Sequence, residues 1–279
     1  MENHVTDILV TLNQNYLPQL KVMLTSLFLN SPGPCRVYLL HRSIPEVQLQ
    51  ILQKGVEQAG GMLFPISVDG GVLEQAPVTK QYPQEMYYRL LAAQLLPEDL
   101  QRVLYLDPDI LIINSLRPLW ELDLGDRMFA AAAHTGKTEL ANNVNKLRLG
   151  TEGKYFNSGV LLMDLEKARE RIEPEQIFSF VESHGAELVL PDQDVLNVMY
   201  ENDIFEIDDF IWNYDARKFS SYFLRSAGNA TMEWVMEHTA ILHFCGKAKP
   251  WKQHYTHRFG VLYQHYMQLA ERYWRTVTV

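Results

Sequence analysis

Asp107-Pro108-Asp109 follows directly on the apolar run Val103-Leu104-Tyr105-Leu106. In extended backbone, residues i and i+2 point to the same side, so both carboxylates can face one divalent cation. Oxygen donors suit Mg²⁺ or Mn²⁺, which commonly also take substrate phosphates. A solvated turn is the competing reading, since Asp and Pro both favour turns. Three later segments carry groups that could complete a site. Asn157 and Ser158 stand just before the apolar stretch Val160–Met163. Asp192, Gln193 and Asp194 follow Pro191 at the start of a helical pattern, where Asp194 reads best as a cap of the helix dipole. His243 ends the run Ile241-Leu242, and Gly246, Lys247 and Lys249 come next. A histidine with carboxylates is a fair Mn²⁺ set, and Gly246 with Lys249 suits a phosphate pair.

The elements that must hold these groups alternate. Ile8–Leu12, Arg36–His41, Met62–Ile66 and Val103–Leu106 read as strands, with further strands at Met128–Ala133 and Val160–Met163. Helical spacing begins at Pro18 and at Pro45, where proline suits the first turn, and a helix is expected from Pro83 to Leu96. This order predicts an α/β fold with a mainly parallel sheet covered by helices. Ligands of such sheets bind at the carboxyl ends of the strands, where Asp107 and Asp109 stand. The glycine fingerprint of a dinucleotide fold is missing after the first strand, where Leu12-Asn13-Gln14-Asn15-Tyr16 occurs instead. Residues 134–154 form a polar, Gly-containing stretch expected to lie as a loop over a site, and 203–228 is irregular and aromatic-rich. A last helix is expected from about His254 to Arg275, with Tyr255, Phe259, Tyr263 and Tyr266 on one face.

Composition bounds the reading. The chain has 279 residues, 47% of them hydrophobic, and a net charge of −9. An acidic chain is a poor partner for nucleic acid, which needs many phosphate-facing cations. Two cysteines, Cys35 and Cys245, imply no disulfide framework. The first residues lack a basic, then apolar, leader pattern, and no long apolar run occurs, so a cytoplasmic protein is expected. Residues 247–279 hold six basic side chains against one acid, Glu271. We therefore expect a domain over 1–251 and, over 252–279, a basic aromatic helix that docks on the body or touches an anionic membrane face.

Taken in order, Asp107-x-Asp109, Asn157-x-Gly159 before an apolar run, Asp192-Gln193-Asp194 and His243-x-x-Gly246-x-x-Lys249-Pro250-Trp251 resemble the retaining glycosyltransferases of family 8. That group includes bacterial lipopolysaccharide galactosyl- and glucosyltransferases and glycogenin. The resemblance runs from about Asp7 to Trp251. It implies a GT-A fold, a UDP-hexose donor, Mn²⁺ (or Mg²⁺), and a saccharide or glycolipid acceptor. By position it assigns Asp107, Asp109 and His243 to the metal, and Gly246 and Lys249 to the diphosphate. Tyr16 would stack on uracil, with Leu12, Asn13 and Asn15 near base and ribose. Arg89 would lie by the donor sugar and Asp107, while Asn157, Asp192 and Gln193 would line the reacting sugar. Two positions depart from the commoner family pattern: Asn13 stands where many members carry Asp, and His134 where sugar-binding members can carry Asp.

Two other functions are consistent with parts of the sequence. Haloacid-dehalogenase-type phosphohydrolases also use Asp-x-Asp after a strand, and Asp208-Asp209 could serve as their second acidic pair. A non-catalytic nucleotide-sugar-binding relic would keep the same residues without turnover.

Overall fold

A computed structural model of the chain describes residues 5–68, 71–77, 84–133 and 154–277. His134 and nearly all of the 134–154 stretch lie outside the described residues. Among the described residues the strands are β1 (Thr6–Thr11), β2 (Cys35–His41), β3 (Met62–Ser67), β4 (Arg102–Leu106), β5 (Ile110–Ile112), β6 (Phe129–Ala132), β7 (Val160–Asp164), β8 (Ile204–Ile207), β9 (Tyr214–Asp215) and β10 (Ile241–His243). Seven of them form one sheet in the order β3-β2-β1-β4-β7-β6-β8, and three form a small sheet, β5-β10-β9. The first four of the large sheet run parallel, β7 is antiparallel to both its neighbours, and β6 pairs parallel with β8. The mixed, mainly parallel α/β sheet expected from the sequence is the one found.

The central strands are apolar along their whole length because both faces are covered. Ile8, Leu9, Val10, Val103, Leu104, Tyr105 and Leu106 are all fully buried. One face packs beneath the helices Leu17–Asn30 and Glu46–Gln58. The other packs beneath Glu85–Leu90, Leu165–Arg171 and Pro191–Tyr200.

Two expected helices differ from the sequence reading. The helix placed over Pro83–Leu96 is two short ones, Glu85–Leu90 and Ala92–Leu95, broken at Leu91, and Pro83 itself lies outside the described residues. The C-terminal helix begins at Gly260, not His254, because His254 adopts φ +64°, a left-handed conformation no α-helix continues. Tyr255 is therefore not part of its aromatic face. It packs under the helix start instead, where a Cβ on Gly260 would come within 2.7 Å of its ring.

The face that the helix does present is inward. Tyr263, Tyr266, Ala270 and Trp274 are buried against the core, and Tyr266 and Trp274 both reach the helix Leu17–Asn30. The Trp274 indole N–H donates to the Lys21 carbonyl and to Thr25 Oγ1, each at 3.1 Å. Its ring packs directly against Gly55, where a Cβ would come within 2.1 Å of it. The mid-helix glycine is thus explained by the close approach. Lys252, Arg258, Arg272 and Arg275 stay exposed. Trp274→Ala should cost about 3–5 kcal/mol of stability, the usual range for emptying a buried indole site. Urea denaturation reads it, and a loss below about 1 kcal/mol would show that the helix is not an integral part of the core.

Candidate active site

The two acids of Asp107-Pro108-Asp109 belong to different sheets. The β4–β7 ladder pairs Leu106 with Val160 and runs one step further, as the Asp107 N–H donates to the Gly159 carbonyl at 2.8 Å. Past Pro108, the Asp109 carbonyl accepts from Phe244 N at 3.0 Å, and Ile110 pairs with His243 in the small sheet. Pro108 marks the crossing. This places His243, more than 130 positions away in sequence, against both carboxylates.

One oxygen of each acid is tied down and the other faces inward. Asp107 Oδ1 accepts from the Tyr105 hydroxyl at 2.5 Å and pairs with Arg89 Nη2 at 3.1 Å. Its Oδ2 faces His243 Nε2 at 3.8 Å. Asp109 Oδ2 is held by Lys249 Nζ, while Oδ1 lies 3.3 Å from the same Nε2. Oδ2 of Asp107, Oδ1 of Asp109 and the imidazole thus converge, with ligand atoms all within 4.8 Å of one another. Two carboxylate oxygens and an imidazole nitrogen are a donor set suited to Mn²⁺. The space between them is kept clear by Gly159, where a Cβ would sit 2.3 Å from His243 Cε1 and 2.6 Å from Asp107 Oδ2. The residues fit the cation that the sequence resemblance implies.

The electrostatics are those of a packed charge cluster. Burial alone would raise the Asp109 carboxyl, but His243 and Lys249 hold it well below the usual carboxylate range. Burial likewise works against charge on His243, while Cys245 and Asp109 draw its pKa well above the ordinary imidazole value. Binding of a cation at Nε2 must displace a proton there. Burial works against charge on the largely buried Arg89, yet Asp107, Tyr105 and Asp192 keep it charged. Its Nη1 reaches Asp192 at 3.2 Å and the Ser158 carbonyl at 3.2 Å, its plane lies over the Tyr105 ring, and its Nε is buried without a hydrogen-bond partner.

A cleft of about 330 Å³ opens from this cluster, with Leu12, Asn13 and Tyr16 on one wall and Arg89, Asp107, Asp109 and Asp192 on the other. Tyr16 is 40% exposed at its lip, free to receive a flat base. Asn13 Oδ1 accepts from the Asn15 N–H at 3.0 Å, capping the turn Gln14–Tyr16, so its Nδ2 is the group left to address the cleft. An Asp would cap equally well but would offer no donor. Asn15 departs from the reading that grouped it with these: it lines a neighbouring cavity of about 660 Å³, between the helix Leu17–Asn30 and the C-terminal helix. Gly246, at φ +79°, lies under the Arg217 guanidinium, which a Cβ would strike at 2.1 Å.

Asn157, Asp192 and Gln193 come together beside Arg89. Gln193 Oε1 accepts from Asn157 Nδ2 at 3.0 Å and from Ser158 N at 3.3 Å, and Ser158 Oγ donates to Asp192 at 3.1 Å. Asp194 lies in the first turn of Pro191–Tyr200, where an acid complements the helix dipole, and its Oδ2 accepts from Val189 N and Leu190 N just before the helix, its Oδ1 from the Tyr155 hydroxyl. Sequence reasoning missed Tyr105, Arg217 and Asn213. Asn213 sits in the irregular 203–228 stretch, where no periodicity marked it. Asp208 and Asp209 are placed elsewhere. Asp208 caps Phe210 N, and Asp209 is bound by Arg225 through two bonds of 2.9 and 3.0 Å. Neither can serve as a second acidic pair for Asp107, which removes the phosphohydrolase reading.

Strand order and site together define a GT-A glycosyltransferase fold. The chain matches the galactosyltransferase LgtC, solved with donor and acceptor sugar analogs, with a TM-score of 0.78 at 24% identity, over 95% of this chain and 96% of that one. The model of glycosyl transferase family 8 matches residues 7–254, and the chain belongs to that family. It is 28% identical to General stress protein A of Bacillus subtilis over 99% of its length and 97% of that protein's. It is also 29% identical to a lipopolysaccharide 1,2-glucosyltransferase of Escherichia coli, over 85% of this chain and 70% of that one.

Gly159→Ala should leave the fold intact and lower Mn²⁺ affinity by about 10–100-fold, the range typical of displaced ligand supports. Calorimetric titration of Mn²⁺, beside a thermal melt, reads both. Wild-type affinity in a folded variant would show that the Asp107–His243 gap is not where the cation sits.

Proposed function

We propose that this family 8 glycosyltransferase is a retaining hexosyltransferase. It moves glucose or galactose from a UDP-sugar to a saccharide or glycolipid acceptor in cell-surface glycan synthesis at the cytoplasmic side. The observation that carries the reading is the convergence of Asp107, Asp109 and His243 at one end of a cleft whose other features suit a nucleotide and a sugar. Names of relatives that act on lipopolysaccharide support the acceptor class.

A Mn²⁺ or Mg²⁺ held by Asp107, Asp109 and His243 would offset charge on the diphosphate leaving group. The chain's own residues do the rest. Tyr16 stacks on the base, and Asn13 Nδ2 donates to base or ribose. Lys249, now on Asp109, and the backbone at Gly246 face the diphosphate in a partly dehydrated site, where such contacts are stronger than in water. Arg89 holds Asp192 beside the reacting sugar. The C1–O bond to the β-phosphate breaks, and an acceptor hydroxyl oxygen bonds to C1 on the same face. The hydroxyl proton passes to the departing phosphate oxygen. Gln193 does not trap the sugar: a neutral amide is a weak nucleophile, and its Oε1 already accepts two hydrogen bonds. With Asp192 it orients and stabilises the oxocarbenium-like sugar.

Any contact with an anionic membrane face would rest on Lys252, Arg258, Arg272 and Arg275, since the aromatic face of the C-terminal helix is turned inward. No helix among the described residues is long and apolar enough to cross a membrane.

Calorimetric titration of UDP, with Mn²⁺ and again with EDTA, tests the reading without knowledge of the acceptor. Binding should require the metal. Asp109→Ala should abolish both binding and transfer, and Gln193→Ala should leave weak transfer. No UDP binding by the folded wild type, with or without metal, would overturn the donor assignment.

A further inference from the structure

Asn213 is fully buried and belongs to no part of the cleft described above, yet it bridges two halves of it. Its Oδ1 lies 2.8 Å from His243 Nδ1, and its Nδ2 donates to Asn157 Oδ1 at 2.9 Å. Asn157 Nδ2 donates in turn to Gln193 Oε1 at 3.0 Å. Amide and imidazole orientations are interchangeable in isolation, but here two backbone groups remove the choice. The Gly159 N–H can only donate, and it donates to Asn157 Oδ1 at 3.0 Å. That turns the Asn157 oxygen toward Asn213, so Asn213 must show it an N–H and present its own oxygen to His243. His243 Nδ1 must then carry a proton. The Ser158 N–H, donating to Gln193 Oε1 at 3.3 Å, fixes the far end in the same sense.

We propose that Asn213 is a positioning residue with two separable functions. Its oxygen holds His243 as the Nδ1–H tautomer, leaving Nε2 to face Asp107 Oδ2 and Asp109 Oδ1. Its amide N–H holds Asn157, and through Asn157 Gln193, against the sugar side. Neither function requires Asn213 to touch cation or substrate. The idea rests on the cation and donor assignments of the proposed function. It goes beyond them by making the imidazole and the sugar-side amides one directional chain, His243 to Asn213 to Asn157 to Gln193.

Asn213→Asp and Asn213→Ala separate the two functions. Asp keeps an acceptor for His243 Nδ1–H but sets an oxygen against Asn157 Oδ1. Ala removes both partners. Mn²⁺ affinity is read by electron paramagnetic resonance of free Mn²⁺ without nucleotide, kcat and KM by hydrolysis of UDP-glucose and UDP-galactose without acceptor, and folding by thermal melt. For Asn213→Asp we expect Mn²⁺ affinity within about threefold of wild type and kcat lowered about 10–100-fold, with KM little changed. For Asn213→Ala we expect both Mn²⁺ affinity and kcat to fall by about 10–100-fold. Should the Ala variant fail to fold, the split between affinity and kcat in the Asp variant is the test by itself. Equal losses of affinity and kcat in the Asp variant, tracking a lowered melting temperature, would reduce Asn213 to a structural role and overturn the proposal. So would wild-type values in either folded variant. A wild type that binds no Mn²⁺ would instead sink the cation assignment on which the idea stands, and the two failures are thereby told apart.

Discussion

The site depends on one change of partner in the backbone. At Asp107 the chain is still hydrogen-bonded to Gly159 in the large sheet, and at Asp109 it has joined Phe244 in the small one. A chain continuing straight along β4 would not bring Asp109 into the small sheet that carries His243. By crossing at Pro108, the chain brings one carboxylate from each sheet to the seam between them. Proline suits that position because it offers no N–H to either ladder. The seam is also where Gly159 leaves a gap and where the imidazole on β10 can meet acids from two sheets.

Charge at that seam is balanced pair by pair. Three acids, Asp107, Asp109 and Asp192, stand close to Arg89, Lys249 and His243. Buried charges without partners are costly, so the cluster persists only because each acid has a cation on at least one oxygen. Arg89 is shared between Asp107 and Asp192, which ties the Asp107–Asp109–His243 cluster to the Asn157–Asp192–Gln193 group. Lys249 neutralises Asp109 in the protein alone, and in the proposed function a diphosphate would offer it a second partner. The same arrangement thus answers two needs, stability without substrate and charge complementarity with it.

Much of this was legible in the sequence because it is local. Strand identity follows from apolar runs, and β1, β2, β4 and β7 appear within a residue or two of their expected ends. The i, i+2 acids, the first-turn acid Asp194 and the His243 to Lys249 stretch are likewise short-range patterns. What could not be read is long-range or depends on a single dihedral. Leu91 breaks a helix that its neighbours' spacing continues, and His254 delays another through φ +64°. Asn213 lies in a stretch with no periodicity, and its importance comes entirely from partners 30 and 56 positions away. Asn15 shares a turn with Asn13 and Tyr16, yet the cleft is lined by those two and not by Asn15. One of the three faces the neighbouring cavity.

Composition alone leaves the surface of the C-terminal segment undecided. Six cations and a row of aromatics over 247–279 describe equally well a membrane anchor and a docked helix. The choice turns on where the rings point. Trp274 caps Gly55, and Tyr266 reaches Asn30 on the helix that follows β1. That helix begins one residue after Tyr16, so the rings brace the same element whose preceding turn forms one wall of the cleft. Removing the apolar face from the core to serve a lipid surface would loosen that wall. Arg272 and Arg275 stay exposed on the helix, and Lys252 and Arg258 in the segment before it, so charge can act at a surface while the rings continue to hold the cleft in shape.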